Sequence, residues 1–499
     1  MAGNLADLVR DSARRSPAHA ALIEGHKRVT WSQLDALVDD AAAGLRSRGH
    51  QPGERIAILM GNRIEFAVAY FAILRAGLVA VPLNAGYTGP EIADLIPQCG
   101  AELILAEPTT LRVAFEGGTA SGRGVPVMDV TGPDWARLTT HRSATAAKPA
   151  QSPVESTGDE LAVLLFTSGT SGKPKAAMLH HRTLLADLEA LDAIEPRPMT
   201  ADDIVLMVLP MFHVYALNAA LGLAAKVGAS CVLVDRFDPV ATLETIRREG
   251  VTNIPGAPPM YIAWSGQPDL RESLKTVRLM VSGAAALPPA VFEQYRTLGL
   301  PVWEGYGMTE TAPVITSTLV SGRSKAGSVG TAIPGLELRL LDEDGDEVDD
   351  GDPGEIWVRG PSVFAGYWPD GEDGPDDEGW YATGDVAYAD EDGDLHLVDR
   401  RREMVIVSGF NVYPREIEDV LITHPDVFEA AVIGISHPYT GEAVKAYVVP
   451  RRGAQVTADQ IVAFCEKRLA RFKCPTIVEV VDDLPHSATG KVAKGLLRD

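Results

Sequence analysis

The chain has 499 residues, of which 46% are hydrophobic, and a net charge of −23. This length allows two or three domains with sizeable cores. The acidic balance excludes a nucleic-acid-binding protein, which would need a basic surface, and anionic ligands must therefore be bound by local positive charge.

The chain shows no signal for secretion or membrane insertion. No apolar core segment follows the first residues, and Arg75 interrupts the longest apolar run, residues 66–83. We therefore expect a buried helix and strand there, no transmembrane segment, and a cytoplasmic protein. The cysteines have no metal-like spacing and are predicted to be reduced thiols: Cys99, Cys231, Cys465 and Cys474.

Helical and strand-like patterns alternate through the first 160 residues. Residues 31–48 and 64–75 have the pattern of helices, and short apolar runs at 54–60, 77–83 and 101–107 indicate strands. Strands separated by helices of this length predict a doubly wound parallel sheet. The same alternation from 204 to 302 predicts a second sheet of similar build.

A phosphate-binding loop is predicted after the buried strand at 161–166. Residues 167–175 combine hydroxyl side chains with glycines and lysines, so backbone N–H groups and positive charge can converge on a polyphosphate. The P-loop of nucleoside triphosphatases is excluded, because only two residues separate Gly169 from Gly172 and Pro174 follows Lys173. A polar surface turn remains the alternative for this segment.

The pattern changes after Gly335 to short strands with tight turns. The sequence DEDGD occurs at 342–346 and at 390–394, and Asp-Gly between strand-like runs favours hairpins over a calcium loop, whose further ligands are missing. We predict a small β-barrel-like subdomain here. From Arg400 onward the net charge is +1, against −24 for the rest, which indicates a separate small α/β domain.

Four further polar clusters each have an ordinary structural explanation when taken singly. They are EGYGMTET at 304–311, WYATGD ending at Asp385, DRRREM at 399–404 and SATGKVAK at 487–494. Together with FTSGTSGKPK at 166–175, and in this order, they resemble the adenylate-forming superfamily of acyl-CoA synthetases, peptide-synthetase adenylation domains and luciferases. The resemblance runs from residue 29 to Lys491. It implies a large N-terminal AMP-binding and acyl-substrate domain over 1–398 and a mobile C-terminal domain over 399–499.

The resemblance implies a set of residues that bind ATP. The β- and γ-phosphates would be bound by the loop residues Thr167, Ser168, Gly169, Thr170, Ser171, Gly172 and Lys173. The adenine and ribose would be bound by Gly283, Ala284, Ala285, Glu304, Gly305, Tyr306, Asp385 and Arg400. Within this set, Tyr306 would stack on the adenine, and Asp385, supported by Arg400, would accept hydrogen bonds from both ribose hydroxyls.

Four residues would take part in the first reaction step. By the same resemblance, Glu310 holds Mg²⁺, Thr309 contacts the α-phosphate and His213 borders the carboxylate substrate. Lys491 matches the catalytic lysine carried by the mobile domain. Attack of a carboxylate on the α-phosphate brings two anions together, so a lysine ammonium there has a clear electrostatic purpose.

The second step would use a different orientation of the C-terminal domain. The hinge falls at Arg402, where the family more often has Asp or Lys, and CoA would pass Ser408, Gly409 and Phe410. The implied substrates are therefore ATP with Mg²⁺, a carboxylic acid and CoA. The sequence leaves the oligomeric state and peripheral membrane contact open.

The finer signature resembles bacterial medium- and long-chain fatty acyl-CoA ligases. Residues 212–221 contain no charged side chain, and Gly305 stands where malonate-activating relatives carry an arginine. The apolar stretch 214–225 is equally well explained as core. The alternatives are a ligase for aromatic or other short acids, an acyl-AMP ligase serving a carrier protein, and a catalytically silent nucleotide sensor. Glu310, Asp385 and Lys491 weigh against the sensor.

Overall fold

The computed structural model describes residues 3–140, 156–167, 174–400, 403–407, 410–437, 441–486 and 491–497, without the side chains at 399, 400, 406, 410 and 411. The chain divides into two compact units. The first comprises Met1–Glu337 and Arg359–Tyr381, and the second comprises Leu338–Val358 and Ala382–Asp499. The predicted division at residue 398 stays a prediction.

The strands alternate with helices along most of the first unit. In chain order its strands are β1 (Ala20–Glu24), β2 (Lys27–Thr30), β3 (Arg55–Leu59), β4 (Val79–Pro82), β5 (Ala101–Ala106), β6 (Val127–Asp129), β7 (Leu161–Thr167), β8 (Lys175–His180), β9 (Ile204–Met207), β10 (Ser230–Leu233), β11 (Asn253–Gly256), β12 (Leu279–Ser282), β13 (Val302–Gly307), β14 (Val314–Ser317) and β15 (Ser328–Ala332). Its α-helices span Asp7–Arg15, Trp31–Ser47, Ile64–Arg75, Gly89–Cys99, Leu111–Ala120, Pro133–Thr139, His181–Asp192, Leu223–Val227, Pro239–Glu249, Pro258–Ser265, Leu270–Ser273, Pro289–Thr297 and Thr318–Ser321. A π-helix spans Tyr215–Gly222 and a 3₁₀-helix Thr309–Thr311.

The first sheet has the order β6-β5-β3-β4-β7-β8. Its strands are parallel except β8, which is antiparallel to β7. The helix Ile64–Arg75 is buried at every position except Glu65, because its side chains are apolar all round. The predicted helices, strands and parallel pairing of this region are confirmed.

The second sheet of the first unit has the order β15-β14-β13-β12-β11-β9-β10-β1-β2. The six neighbours β13, β12, β11, β9, β10 and β1 pair in parallel, whereas β2 at one end and β14 and β15 at the other pair antiparallel. A core containing the buried aromatic residues Tyr261, Trp264 and Tyr295 packs against it. All the parallel strands therefore present their carboxyl ends at one edge, where open α/β sheets bind ligands.

The second unit is built mainly from short strands. They are β16 (Glu337–Leu341), β17 (Gly354–Arg359), β18 (Trp380–Ala389), β19 (Leu395–Arg400), β20 (Val405–Val407), β21 (Phe410–Val412), β22 (Val427–His437), β23 (Gly441–Pro450) and β24 (Ile477–Val480), with helices at Pro414–Ile422 and Ala458–Glu466 and 3₁₀-helices at Arg471–Lys473 and Lys494–Leu497. Strands β16 to β19 are neighbours in that order, and β20 to β24 form a five-stranded sheet around β23. Both DEDGD segments are turns, as predicted, since Asp342 and Asp390 donate to the carbonyls of Asp346 and Asp394.

The apolar run at 66–83 forms a buried helix and strand β4, as expected. Arg75 within it is only 4% exposed, because its guanidinium pairs with Asp35 at 2.6 Å and with Asp39 at 3.0 Å. Among the described residues, no helix has both the length and the apolar character needed to cross a membrane. All four cysteines are free and buried.

Candidate active site

The predicted adenine-binding residues meet at the carboxyl ends of two neighbouring strands. Gly283, Ala284 and Ala285 directly follow β12, while Gly305 and Tyr306 lie at the end of β13. These strands pair in parallel, with Ser282 opposite Glu304. The structure thus brings together two segments that lie more than twenty residues apart in the sequence.

The loop after β12 has a tightly specified shape. A Cβ atom on Gly283 would lie 3.0 Å from the Tyr215 ring, and the Tyr215 hydroxyl donates to the Val281 carbonyl at 3.5 Å. Ala284 adopts a left-handed conformation with φ of +69°, which costs an L-residue about 1–2 kcal/mol. Strain of this kind is typical of loops that approach a ligand closely.

Glu304 holds this loop against β13. Its side chain is 3% exposed, and Oε2 accepts the Leu287 N–H at 3.2 Å. The Thr318 hydroxyl accepts from the Glu304 N–H and donates to the Glu304 carbonyl, at 2.9 and 3.0 Å. These contacts give Glu304 a structural part in the site, and its predicted contact with the nucleotide stays a prediction.

The two glycines beside Tyr306 allow β13 and its neighbouring segment to approach closely. A Cβ on Gly305 would lie 3.1 Å from the Thr316 carbonyl oxygen, and one on Gly307 would lie only 1.9 Å from that of Pro313. This close approach is a packing reason for glycine at position 305. It adds to the predicted reason, which is that glycine leaves room for an uncharged acid. Gly307 admits no side chain without a backbone shift.

Thr309 and Glu310 form a single 3₁₀ turn after β13. Glu310 is buried, with 5% exposure. Its Oε1 accepts a hydrogen bond from the Tyr367 hydroxyl. Burial, followed by the Glu310 charge, raises the pKa of Tyr367, so its hydroxyl remains a donor. A carboxylate of this kind suits Mg²⁺, which takes one or two carboxylates together with phosphate oxygens and water, and the predicted role of Glu310 as its ligand stays a prediction.

Asn218 and Asp187 form a buried polar pair that contacts the residues following this turn. The Asn218 side-chain nitrogen is 2.7 Å from the Ala312 carbonyl, 3.1 Å from the Leu184 carbonyl and 3.0 Å from Asp187 Oδ2. The Val314 N–H donates to Asp187 Oδ1 at 3.1 Å. Complete burial raises the pKa of Asp187 well above its ordinary range. Sequence reasoning missed both residues, although an aspartate among the apolar positions of its helix was a usable signal.

His213 lies after β9, at the start of the π-helix. Its ring Nδ1 accepts the Tyr215 backbone N–H at 3.3 Å, and the His213 backbone N–H donates to the Pro210 carbonyl. An Nδ1 that accepts a hydrogen bond requires the hydrogen of a neutral imidazole to be on Nε2. Most side chains of 214–225 are buried, so the core explanation holds for much of this stretch, whereas His213 and Tyr215 are partly accessible.

The predicted phosphate loop connects two antiparallel strands. Thr167 ends β7 and pairs with Lys175, which begins β8. Because a strand rather than a helix follows, the exclusion of a P-loop is confirmed. Ser168, Gly169, Thr170, Ser171, Gly172 and Lys173 lie outside the described residues, and their phosphate contacts stay predictions.

Asp385 and Arg400 belong to the second unit. Their backbones are directly opposite each other in the β18–β19 pair, and Asp385 is half-buried. The predicted support of Asp385 by Arg400 stays a prediction. Arg402, Ser408 and Gly409 lie outside the described residues, as does the Phe410 side chain. The hinge and the CoA path therefore stay predictions.

Lys491 is exposed, and the three residues that follow it are held by specific contacts. Val492 forms an antiparallel bridge with His486, and the Ala493 N–H donates to the Pro485 carbonyl at 2.7 Å. Lys494, three residues on, pairs with Glu403 and Glu418, each at 2.9 Å. Sequence reasoning missed this anchor, for which the second lysine of SATGKVAK was the available signal.

Comparisons with known proteins agree with the geometry. A family model described as AMP-binding enzyme matches residues 9–368, and one described as AMP-binding enzyme C-terminal domain matches residues 416–491. The long-chain-fatty-acid–CoA ligase of Yersinia pestis is 34% identical, over 99% of this chain and 94% of its own length. A feruloyl-CoA synthase of an Amycolatopsis species is 35% identical, over 97% and 96%.

The fold has counterparts among solved structures. The ATP-bound crystal structure of MatB from Rhodopseudomonas palustris matches with a TM-score of 0.90 and 34% identity, covering 100% of this chain and 98% of that one. The predicted α/β fold class, with a large N-terminal part and a smaller C-terminal part, is confirmed.

Proposed function

Because the chain belongs to the AMP-binding enzyme family and is an AMP-forming acyl-CoA synthetase, we propose that it activates medium- to long-chain fatty acids. The acid would react with ATP to give an acyl-adenylate and pyrophosphate, and then with CoA to give a thioester and AMP. The observation that carries this proposal is the uncharged segment 212–221, whose Tyr215 ring packs against Gly283 of the predicted adenine loop. An acid held beside such a segment has an uncharged tail.

In the first step the protein must bring two anions together. The Thr167 hydroxyl would donate to a phosphate oxygen, Tyr306 would stack on the adenine, and His213 would donate from Nε2 toward the acid carboxylate. Glu310 would hold Mg²⁺, which when bound neutralises phosphate charge. These groups orient the carboxylate oxygen toward the α-phosphorus and limit the repulsion that opposes attack.

Lys491 would stabilise the charge that develops on the departing pyrophosphate. An ammonium about 4 Å from a negative oxygen contributes ~4 kcal/mol at an effective dielectric of ~20. If this stabilisation acts only in the transition state, it raises the rate of adenylation roughly a thousandfold. The exposure of Lys491 on an anchored segment suits a side chain that must enter another part of the protein.

The second step makes smaller demands on the protein. The CoA thiol, with an ordinary pKa of ~8.5, is already partly ionised near neutral pH, and AMP is a good leaving group. Ser408, Gly409 and Phe410 would border the CoA arm after the C-terminal domain reorients at Arg402. Lys491 has no part in this step, so the two half-reactions are separable.

An aromatic acid is the second candidate substrate. The feruloyl-CoA synthase that is 35% identical over 97% of the chain supports it, and a planar ring fits an uncharged pocket as well as an alkyl chain does. Each buried methylene contributes about 0.8 kcal/mol, or roughly fourfold in affinity. Preference within either class therefore depends on pocket depth.

The proposal is tested by assaying CoA thioester formation with saturated acids from acetate to C18, benzoates, hydroxycinnamates and malonate. We expect kcat/KM to rise with chain length up to a maximum between C8 and C18, with malonate inactive. A maximum among the aromatic acids would replace the first candidate with the second. Turnover of malonate alone would contradict both.

A further inference from the structure

We propose that Tyr367 is a positioning residue that holds the Glu310 carboxylate in the orientation needed to bind the metal of metal–ATP. The inference rests on the proposed role of Glu310 as the Mg²⁺ ligand. Tyr367 is not among the residues expected from the sequence, because 57 positions separate it from Glu310.

One short segment holds both the backbone and the side chain of Glu310. The Phe364 N–H donates to the Glu310 carbonyl at 2.8 Å, and the Tyr367 hydroxyl donates to Oε1. A carboxylate has about four lone-pair sites on two oxygens, so accepting this hydrogen bond is compatible with binding a cation. The hydrogen bond from the phenol therefore restricts the rotation of the Glu310 carboxylate.

The phenol is itself held in place. Its segment runs beside β8, where the Trp368 N–H donates to the Ala176 carbonyl at 2.8 Å and Gly366 accepts the Met178 N–H at 3.1 Å. The Phe364 ring packs edge-on against Tyr367 and against Tyr381, with centroids 5.1 and 5.0 Å apart.

Gly366 closes the turn that makes this arrangement possible. Its φ is +99°, and a Cβ there would lie 2.2 Å from the Gly371 carbonyl oxygen. Because this turn and the pairing with β8 fix the backbone on both sides, the Tyr367 hydroxyl has little freedom to leave Glu310.

The Tyr367 ring also contacts the first residue of β8, the strand that follows the predicted phosphate loop. The Lys175 ammonium lies 5.3 Å from the Tyr367 ring centroid and forms an ion pair with Asp373. Lys175 is the first residue of β8, immediately beyond the loop. Tyr367 therefore stands between the strand that ends the phosphate loop and the carboxylate that would hold the metal, where it can align the two.

The test is Tyr367→Phe, which removes one oxygen atom and keeps the ring against Lys175 and Phe364. Mn²⁺ serves as the probe, and free Mn²⁺ is followed by electron paramagnetic resonance in the presence of ATP without acid. We expect the Kd of Mn²⁺ in the ATP complex to rise about 10- to 100-fold, the range for a hydrogen bond to a charged group. The affinity for ATP in EDTA should change less than about twofold.

A kinetic measurement gives an independent readout. The Mg²⁺ concentration for half-maximal pyrophosphate release should rise by a similar factor, while kcat at saturating Mg²⁺ recovers to within about threefold. The matched control is Tyr388→Phe, which removes the same hydroxyl from an exposed tyrosine and should leave every value unchanged.

Glu310→Gln separates failure of this inference from failure of the proposed function. If it leaves Mn²⁺ affinity unchanged, Glu310 is not the metal ligand and the premise is wrong. If it abolishes Mn²⁺ binding while Tyr367→Phe retains full affinity, only the positioning role is overturned. Equal losses of Mn²⁺ and metal-free ATP affinity in Tyr367→Phe, or a melting temperature more than about 10 °C lower, would show a general structural role and also overturn it.

Discussion

Replacing Asn218 by alanine should destabilise the first unit and displace the segment that carries Glu310. The Asn218 amide nitrogen lies within hydrogen-bond distance of the carbonyls of Leu184 and Ala312 and of the Asp187 carboxyl group. It has only two hydrogens for these three acceptors, so at most two full bonds form at one time. The Asn218→Ala variant loses both.

The size of the effect follows from the burial of these groups. Asn218 and Asp187 are both 0% exposed, so water cannot replace the lost donor. Each buried acceptor left without a partner costs about 1–3 kcal/mol, which gives about 2–6 kcal/mol for two. This is a large fraction of the ~5–15 kcal/mol that holds a typical domain folded.

Urea unfolding followed by tryptophan fluorescence measures this loss, and pyrophosphate release measures the displacement near Glu310. The matched control is Gln98→Ala, which removes an exposed amide that donates to the Asp94 carbonyl. We expect a change within about 0.5 kcal/mol for the control. An Asn218→Ala variant as stable as the control would refute the reasoning.

Three further predictions concern other parts of the chain. Burial lowers the pKa of His181 to about 4 from an unfolded value of ~6.5. As the pH falls, the unfolded state therefore takes up a proton before the folded state does. The wild type should lose ~2 kcal/mol of stability between pH 7.5 and pH 5, at ~1.36 kcal/mol per pH unit. His181→Asn keeps an acceptor for the Leu5 N–H and should lack this part of the loss, so equal pH dependence of urea unfolding contradicts the assignment. Ala284→Gly relieves the left-handed conformation and should stabilise by about 0.5 kcal/mol after the entropy of glycine is subtracted, whereas Ala285→Gly should lower the melting temperature. Lys491→Ala should slow adenylation by roughly a thousandfold and spare thioester formation from supplied acyl-adenylate, and equal losses in both half-reactions would disprove its role.

The sequence predicted best those features that depend on neighbouring residues. Helix Ile64–Arg75 and the turns at 342–346 and 390–394 follow from local patterns and were confirmed. The strand before the phosphate loop was also confirmed as β7. In each case the period of apolar residues or an Asp-Gly pair determines the local structure.

Features that depend on distant partners could not be predicted. Arg75 was recognised as an interruption of an apolar run, but its burial depends on Asp35 and Asp39 in another helix. The hydrogen bond from Tyr367 to Glu310 likewise joins segments that carry no shared local pattern. The π-helix Tyr215–Gly222 has no charged residue and no distinctive spacing of apolar residues, so its sequence predicts only an apolar helix.

The central claim, that the acid is activated as an acyl-adenylate, is tested most directly with ¹⁸O-labelled fatty acid. Attack by a carboxylate oxygen forms the bond to the α-phosphorus, and thiolysis then breaks the acyl carbon–oxygen bond, so that oxygen remains with AMP. With dodecanoate labelled in both oxygens, Mg²⁺–ATP and CoA, we predict one ¹⁸O atom in each AMP and none in pyrophosphate, measured by mass spectrometry. Unlabelled AMP formed together with thioester would contradict the account.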